Sequence, residues 1–169
     1  LLHKFNLKID KNYKIIDYDY NSSGDITDAQ IILKKGFKSQ FIKKPIKKIS
    51  FIKTKLKINI NKKKKNFLVL ESFYKTGDSD YKQIKITNNL NKKKQNYLID
   101  VNLTENIFLE LINFKTNNKK KANIKSEFNI ENNNINFKYI IFTEDKNAIS
   151  VNGLKINSKS EIEKITNID

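Results

Sequence analysis

The stretch that decides the fold is KANIKSEFNIENNNINFKYIIFTEDKNAISVNGLKI, which runs from Lys121 to Ile156. Apolar and polar residues alternate along most of it, and polar turn segments interrupt the alternation at 131–134 and 143–147. Successive side chains of a β-strand point to opposite faces, so this period of two predicts three consecutive strands with one apolar face. At Gly153 the alternation shifts by one residue, which predicts a β-bulge at that glycine.

The apolar positions of these strands predict one common surface. Its expected lining is Ile124, Phe128, Ile135, Phe137, Tyr139, Ile141, Ile149 and Val151. A sheet with one apolar face must bury that face against something. The nature of that cover therefore decides the function.

The rest of the chain continues the strand pattern. Turns are predicted at 21–24, at 34–36 and in lysine-rich segments, with alternating strands between them. The period changes only once, where Thr104 is a good N-cap and an apolar stripe at helical spacing follows. This predicts one short helix over about residues 105–113. We therefore expect residues 1–169 to form a single, mainly β segment of about ten antiparallel strands in up-and-down order.

Two architectures satisfy this pattern equally well. The sheet can fold onto itself as a closed sandwich or barrel, with its apolar faces packed together. Alternatively, it can curve into a long open groove, shaped like a taco, whose apolar lining is filled by a ligand such as acyl chains. The alternation alone leaves both open.

The formal charge of +16 invites a nucleic-acid interpretation, but the composition argues against it. Every one of the 34 basic residues is lysine, and arginine, which binds phosphates and bases bidentately, is missing. Lys, Asn and Ile together make up half the chain, as A/T-rich codons would produce. We expect the lysines on solvated faces and turns, where they attract anionic headgroups or polyanions only weakly.

No constellation of catalytic or metal-binding residues is present in the sequence. There is no cysteine, and the single histidine, His3, has no carboxylate pair or partner serine beside it. The four glycines are scattered and cannot form a phosphate loop. The sequence therefore predicts neither an enzyme nor a bound metal or cofactor.

The chain lacks methionine and begins Leu1-Leu2, so we expect it to be an internal fragment of a longer protein. It contains no apolar run near the roughly 20 residues that cross a bilayer. The lack of a membrane span here therefore says nothing about the parent chain.

Three segments resemble the AsmA-like envelope proteins, the group that includes YhdP and TamB. They are VNLTENIFLELINF at 101–114, the strands and turns of 135–157, and DITDAQI at 25–31. The resemblance implies a repetitive, periplasm-spanning β-groove, anchored in the inner membrane through a span outside this fragment. It also implies that phospholipid acyl chains lie along the eight lining residues and move between the inner and outer membranes. The alternatives are a closed β-sandwich with a structural or adhesive role, and a basic surface module that binds anionic polymers.

Overall fold

The structure is a computed structural model. It describes residues 1–39, 42–62, 66–90, 94–104, 108–109, 114–116, 121–159 and 161–169. All the regular elements in these ranges are β-strands. Their bounds are β1 Leu2–Ile9, β2 Ile15–Ser39, β3 Ile42–Asn61, β4 Asn66–Thr76, β5 Lys82–Leu90, β6 Gln95–Asn102, β7 Phe108–Leu109, β8 Phe114–Lys115, β9 Ala122–Glu131, β10 Asn134–Glu144, β11 Asn147–Asn152, β12 Lys155–Ile156, β13 Ile162–Lys164 and β14 Asn167–Ile168.

Twelve of these strands form one sheet, and β7 and β8 form a separate pair. The order along the main sheet is β1-β2-β3-β4-β5-β6-β9-β10-β11-β14, and every pairing is antiparallel. Strands β12 and β13 continue the β11 and β14 layers beyond Gly153. Because β1 and β14 do not pair, the sheet stays open. The prediction of a mainly β, open antiparallel meander is confirmed.

The predicted helix of about 105–113 does not appear in the described part of this segment. Residues 105–107 and 110–113 lie outside the described residues, while Phe108 and Leu109 form β7 and pair with β8. The helical prediction is wrong for these two residues. Four apolar positions are too few to distinguish a helical period from short strands.

Strand β2 runs through both turns that the sequence predicts at 21–24 and 34–36. The Asn21 side chain, which suggested the first turn, is hydrogen-bonded within β2 and to β3. The Asn21 side chain donates to Asp19, and the Asn59 side chain on β3 donates to Asn21 at 2.6 Å. Gly24 has a φ of +148°, and a Cβ there would lie 3.1 Å from the Leu1 Cα atom, so this glycine allows close backbone approach within a strand.

The longest strands extend beyond their neighbours. Strand β3 pairs with β4 only as far as Ile49, opposite Thr76, whereas β2 and β3 continue to pair up to Ser39 and Ile42. Among the described residues, this extension has no third strand beside it. We call it the β2–β3 ribbon.

Few apolar side chains are buried in the described part of the chain. Among the described hydrophobic residues, only Tyr74, Ala122 and Phe142 are buried. The accessible surface is 12671 Å² for a 19.9 kDa chain. A compact monomer of that mass exposes about 8,700 Å². The described residues are therefore organised as one layer without a central three-dimensional core.

Candidate functional site

The inner face of the sheet is defined here as the face that carries the Phe128 side chain. Directly opposed residues of an antiparallel pair point to the same face, so the strand register assigns every strand of the sheet. One continuous row, which we call the nine-strand row, crosses this face from β2 to β14. It consists of Gly24, Leu56, Leu70, Ile86, Ile99, Ser126, Ile140, Val151 and Ile168.

An aromatic row lies next to the nine-strand row on the same face. Tyr97, Phe128 and Phe137 oppose one another on β6, β9 and β10. Their ring centroids are 5.0 Å apart at both steps, stacked in the first pair and tilted in the second. Such contacts add about 0.5–1.5 kcal/mol per pair beyond the buried area, and they fix the rings on this face.

Six of the eight predicted lining residues lie on the inner face. They are Ile124, Phe128, Ile135, Phe137, Ile149 and Val151. Tyr139 and Ile141 lie on the outer face, opposite Glu127 and Lys125, so the prediction that they share the apolar surface is wrong.

The cause is a bulge at Lys138. The register shifts between Phe137 and Tyr139, so Ile140 and Phe142 take the inner positions instead. The matching slip on the next strand is at Gly153, whose N–H donates to the Lys138 carbonyl at 3.1 Å. The predicted slip at Gly153 is confirmed, because Val151 and Ile156 both reach the inner face across it. The sequence signal that was missed is the apolar run Ile140–Phe142, which supplies side chains to both faces.

Some polar side chains of the inner face are hydrogen-bonded internally, whereas Ser22 Oγ and Asn88 Oδ1, buried on the same face, have no hydrogen-bond partner in the described part of the chain. The Thr54 and Ser72 hydroxyls are 2.6 Å apart, and Ser126 Oγ donates to the Tyr139 carbonyl at 3.1 Å. Because these hydroxyls have protein partners, they impose little desolvation cost on an apolar ligand. The face therefore presents hydrocarbon, and most of its apolar side chains remain only half-buried.

At one end of the sheet, side chains join β4 to β6 and the residues after it, near the start of β5. The Tyr74 hydroxyl donates to the Asn102 carbonyl at 2.9 Å, and the Thr76 and Thr104 hydroxyls are 2.8 Å apart. Adjacent strands lie about 4.8 Å apart, so β4 and β6 would be about 10 Å apart in a flat sheet. These contacts tie the end of β4 to the end of β6 near the start of β5.

The outer face carries an alternating ladder of acids and bases across six strands. Its members are Asp25, Lys55, Glu71, Lys85, Asp100 and Lys125, each directly opposite the next. Lys85 Nζ lies 2.6 Å from a Glu71 carboxylate oxygen, and Lys125 Nζ lies 3.4 Å from Asp100. The hydrogen bond from Lys85, followed by its charge, lowers the pKa of Glu71. This face is therefore the one that faces water.

We expect Asp100→Lys to destabilise the sheet, because it places three lysines in line on β5, β6 and β9. Like charges directly opposite one another destabilise a sheet, and two such pairs here should cost about 1 kcal/mol. Urea unfolding of this variant, with Asp100→Asn as the neutral intermediate, measures the effect. If the ladder is responsible, the difference between the two variants shrinks in high salt; equal stability in low salt would contradict it.

A shallow depression of about 440 Å³ lies over the ladder on the outer face. Its lining is mainly charged or polar and includes Lys55, Glu71, Lys85 and Asp100. These are the charges that pair along the ladder, so the depression offers no apolar pocket. Within the described ranges, no three His, Asp or Glu side chains are grouped as metal ligands. The described part of the chain also has no helix with the length and hydrophobicity to cross a membrane.

Comparison of the chain with protein-family models, with curated proteins and with solved structures finds no match. The function is therefore argued from the geometry of the inner face.

Proposed function

We propose that the inner face binds the acyl chains of phospholipids and that the chain is a lipid-carrying segment of an AsmA-like envelope protein. In this proposal the segment lies in the periplasm, belongs to a parent anchored in the inner membrane, and carries phospholipid between the inner and outer membranes. The observation that supports it best is the nine-strand row. Apart from Gly24, Ser126 is its only member without a large aliphatic side chain, and the Ser126 hydroxyl is already bonded.

The energetics favour hydrocarbon as the occupant. Each acyl-chain methylene that is removed from water contributes about 0.8 kcal/mol to binding. Covering the half-buried side chains of the inner face contributes to binding in the same way. Exposed apolar surface of this extent marks a binding site in a soluble protein. Because the row repeats the same chemistry strand after strand, a bound chain meets similar contacts at each step. Lipid could then slide along the face without dissociating.

The distribution of charge fits this arrangement. On β6 and β9, the inner face carries no ionisable side chain except Tyr97, whereas Asp100, Lys125 and Glu127 all lie on the outer face. On these two strands, acyl chains and water would lie on opposite sides of one layer, whereas on β10 the inner face includes the buried Glu144. Headgroups would lie at the strand ends, where the exposed Lys62 and Lys94 are located.

The alternative of a closed sandwich has less support. It requires a second layer over the inner face, and outside the main sheet the described residues include only the two-residue strands β7 and β8. For the basic-module alternative, Lys85 and Lys125 of the ladder are paired with Glu71 and Asp100, so these lysines do not supply unneutralised positive charge.

Lipid analysis of the purified chain tests the proposal. We expect native mass spectrometry to detect bound phospholipid, and organic extraction to release it with diacyl chains. An outer-face variant, Leu98→Lys, serves as the control and should retain the lipid. The proposal would be contradicted if the protein purified from cells carried no lipid and took up no fluorescent phospholipid from vesicles.

A further inference from the structure

Positive charge is concentrated in one part of the chain. Residues 29–70 contain 14 lysines and no acidic residue, whereas the remaining 127 residues contain 20 lysines and 18 acids. The formal charge of +16 therefore divides into +14 within this stretch and +2 outside it. A/T-rich codons raise the number of lysines throughout a chain, but they do not exclude acids from one stretch. The local excess of charge therefore calls for a physical explanation.

The β2–β3 ribbon belongs to this basic stretch, and it extends past the end of the neighbouring strand β4. Strand β4 ends at Thr76, and in the turn that follows, the Gly77 N–H donates to the Lys48 carbonyl at 3.4 Å. Strand β3 continues beyond this turn, and Lys47 and Lys48 are exposed there. On this side, a turn within the chain therefore defines where the ribbon leaves the sheet.

A wide bulge in β2 presents two more lysines. Between Ile32 and Phe37, four residues of β2 stand opposite a single residue of β3. Two of the four, Lys34 and Lys35, are exposed, and Gly36 takes a φ of +65°. Ile32 and Phe37, which flank the bulge, are themselves 75% and 53% exposed. Basic and large apolar side chains therefore reach solvent together in the ribbon.

The charge of these four exposed lysines is not neutralised in the described part of the chain. The nearest acids along the sequence are Asp28 and Glu71, and Glu71 is already paired with Lys85. Asp78 lies in the turn beside Lys48, and the two side chains form no ion pair. The ribbon therefore differs from the ladder on the outer face, where lysines and acids alternate.

The combination of basic and apolar side chains favours a lipid surface as the partner. At a membrane interface, apolar side chains enter the boundary between headgroups and acyl chains, while lysines attract anionic headgroups. Exposed Ile32 and Phe37 find no such environment on the phosphate backbone of a nucleic acid. Arginine, which supplies the commonest specific contact to bases, is missing from the chain.

We propose that the β2–β3 ribbon docks on the surface of an anionic phospholipid bilayer. Its exposed lysines contact the headgroups, and its exposed apolar residues enter the boundary with the acyl chains. The residues of this docking surface are Lys34, Lys35, Lys47, Lys48, Ile32 and Phe37.

Co-sedimentation with vesicles tests the role of charge. We expect the chain to bind equimolar phosphatidylcholine–phosphatidylglycerol vesicles tighter than pure phosphatidylcholine vesicles by a factor of about ten or more, and to bind them less tightly as salt is raised. Each lysine near an anionic surface contributes about fivefold to the affinity. Lys34→Gln/Lys35→Gln and Lys47→Gln/Lys48→Gln should therefore each weaken binding about 25-fold.

A matched variant controls for net charge. Lys155→Gln/Lys159→Gln removes two exposed lysines at the other end of the sheet and should bind the vesicles like wild type. If this variant loses as much affinity as the ribbon variants, net charge alone drives binding and the proposal fails. Tighter binding to duplex DNA than to the anionic vesicles would overturn it as well, because a lipid surface would then not be the preferred partner.

Tryptophan fluorescence tests the role of the apolar residues. The chain has no tryptophan, so Phe37→Trp introduces a single indole into the ribbon. Its emission should shift to shorter wavelength with anionic vesicles, because indole rings settle at the membrane interface. Leu98→Trp, on the outer face of β6, should show no shift. Equal shifts at the two positions, or none at Phe37→Trp, would contradict insertion of the ribbon.

This docking does not rest on acyl-chain binding by the inner face. Phe137→Lys, which should lose bound phospholipid, should still co-sediment with anionic vesicles. Loss of co-sedimentation in this variant would assign vesicle binding to the inner face and overturn the role of the ribbon. A chain that carries no phospholipid but docks through the ribbon would contradict the acyl-chain proposal and support this one.

Discussion

Phe137→Lys is expected to remove most of the bound phospholipid from the chain, whereas Tyr139→Lys is expected to leave binding nearly unchanged. The two residues are separated by the Lys138 bulge, so Phe137 lies on the inner face and Tyr139 on the outer face. A lysine within a hydrocarbon environment costs about 2.5–3.5 kcal/mol. At about 1.4 kcal/mol per tenfold, the affinity should fall roughly a hundredfold. A fluorescent phospholipid titrated into each variant measures the difference.

The same pair of variants tests the face assignment independently of the family resemblance. In a regular strand, residues two apart share a face, and both substitutions would then have equal effects. Phe137→Leu controls for the lost ring contact with Phe128 and should keep most of the binding. Equal losses from Phe137→Lys and Tyr139→Lys, with both variants folded, would be incompatible with acyl chains on the inner face.

Gly153→Ala is expected to detach residues 161–169 from the sheet. Gly153 has a φ of +63°, a left-handed conformation that costs a residue with a Cβ about 1–2 kcal/mol. An added Cβ would also collide with Thr166, lying 2.8 Å from its Cβ atom and closer still to its Oγ1. Overpacking of this kind costs typically 1–3 kcal/mol more. Hydrogen exchange should show residues 161–169 losing protection while β4–β6 remain protected.

Gly77→Ala is the matched control for this substitution. Gly77 has a similar φ of +53°, but nothing lies within 4 Å of a Cβ placed there. It therefore carries the conformational cost without the collision. Adding Thr166→Gly to Gly153→Ala should reduce the penalty to that of Gly77→Ala. If Gly153→Ala and Gly77→Ala have the same effect, close packing against Thr166 is not what holds residues 161–169 on the sheet.

Much of the fold could be predicted from the sequence because its strands carry their information locally. From Ala122 to Ile130 the alternation has no interruption, and β9 follows it residue by residue. Each predicted strand is followed by a polar turn, so neighbours in sequence become neighbours in the sheet. The slip at Gly153 was visible because glycine marks positions where side chains cannot be accommodated.

The facing of individual side chains, the continuity of β2 and the charge ladder could not be predicted, because they depend on pairing between strands. The Lys138 bulge has no glycine and falls beside an apolar run, so only the partner strand reveals which of Phe137 and Tyr139 faces inward. The continuity of β2 through Asn21 and Gly24 likewise depends on β3. That strand supplies the Asn59 amide and the backbone pairing along β2. Local turn propensity was overridden there by tertiary pairing. The charge ladder also escaped detection, because its members are separated by 14 to 30 residues and become aligned only through register.

The β2–β3 ribbon has a consequence for how the molecule unfolds. Two strands with no neighbour on either side bury little apolar surface and are marginally stable on their own. The described part of the ribbon can therefore open from the Ser39–Ile42 pair back to Ile49 while the registered layers from β3 to β11 keep their cross-strand contacts. Such a molecule does not melt as one cooperative unit: its opening free energies form a gradient, lowest along this arm and highest in the central strands.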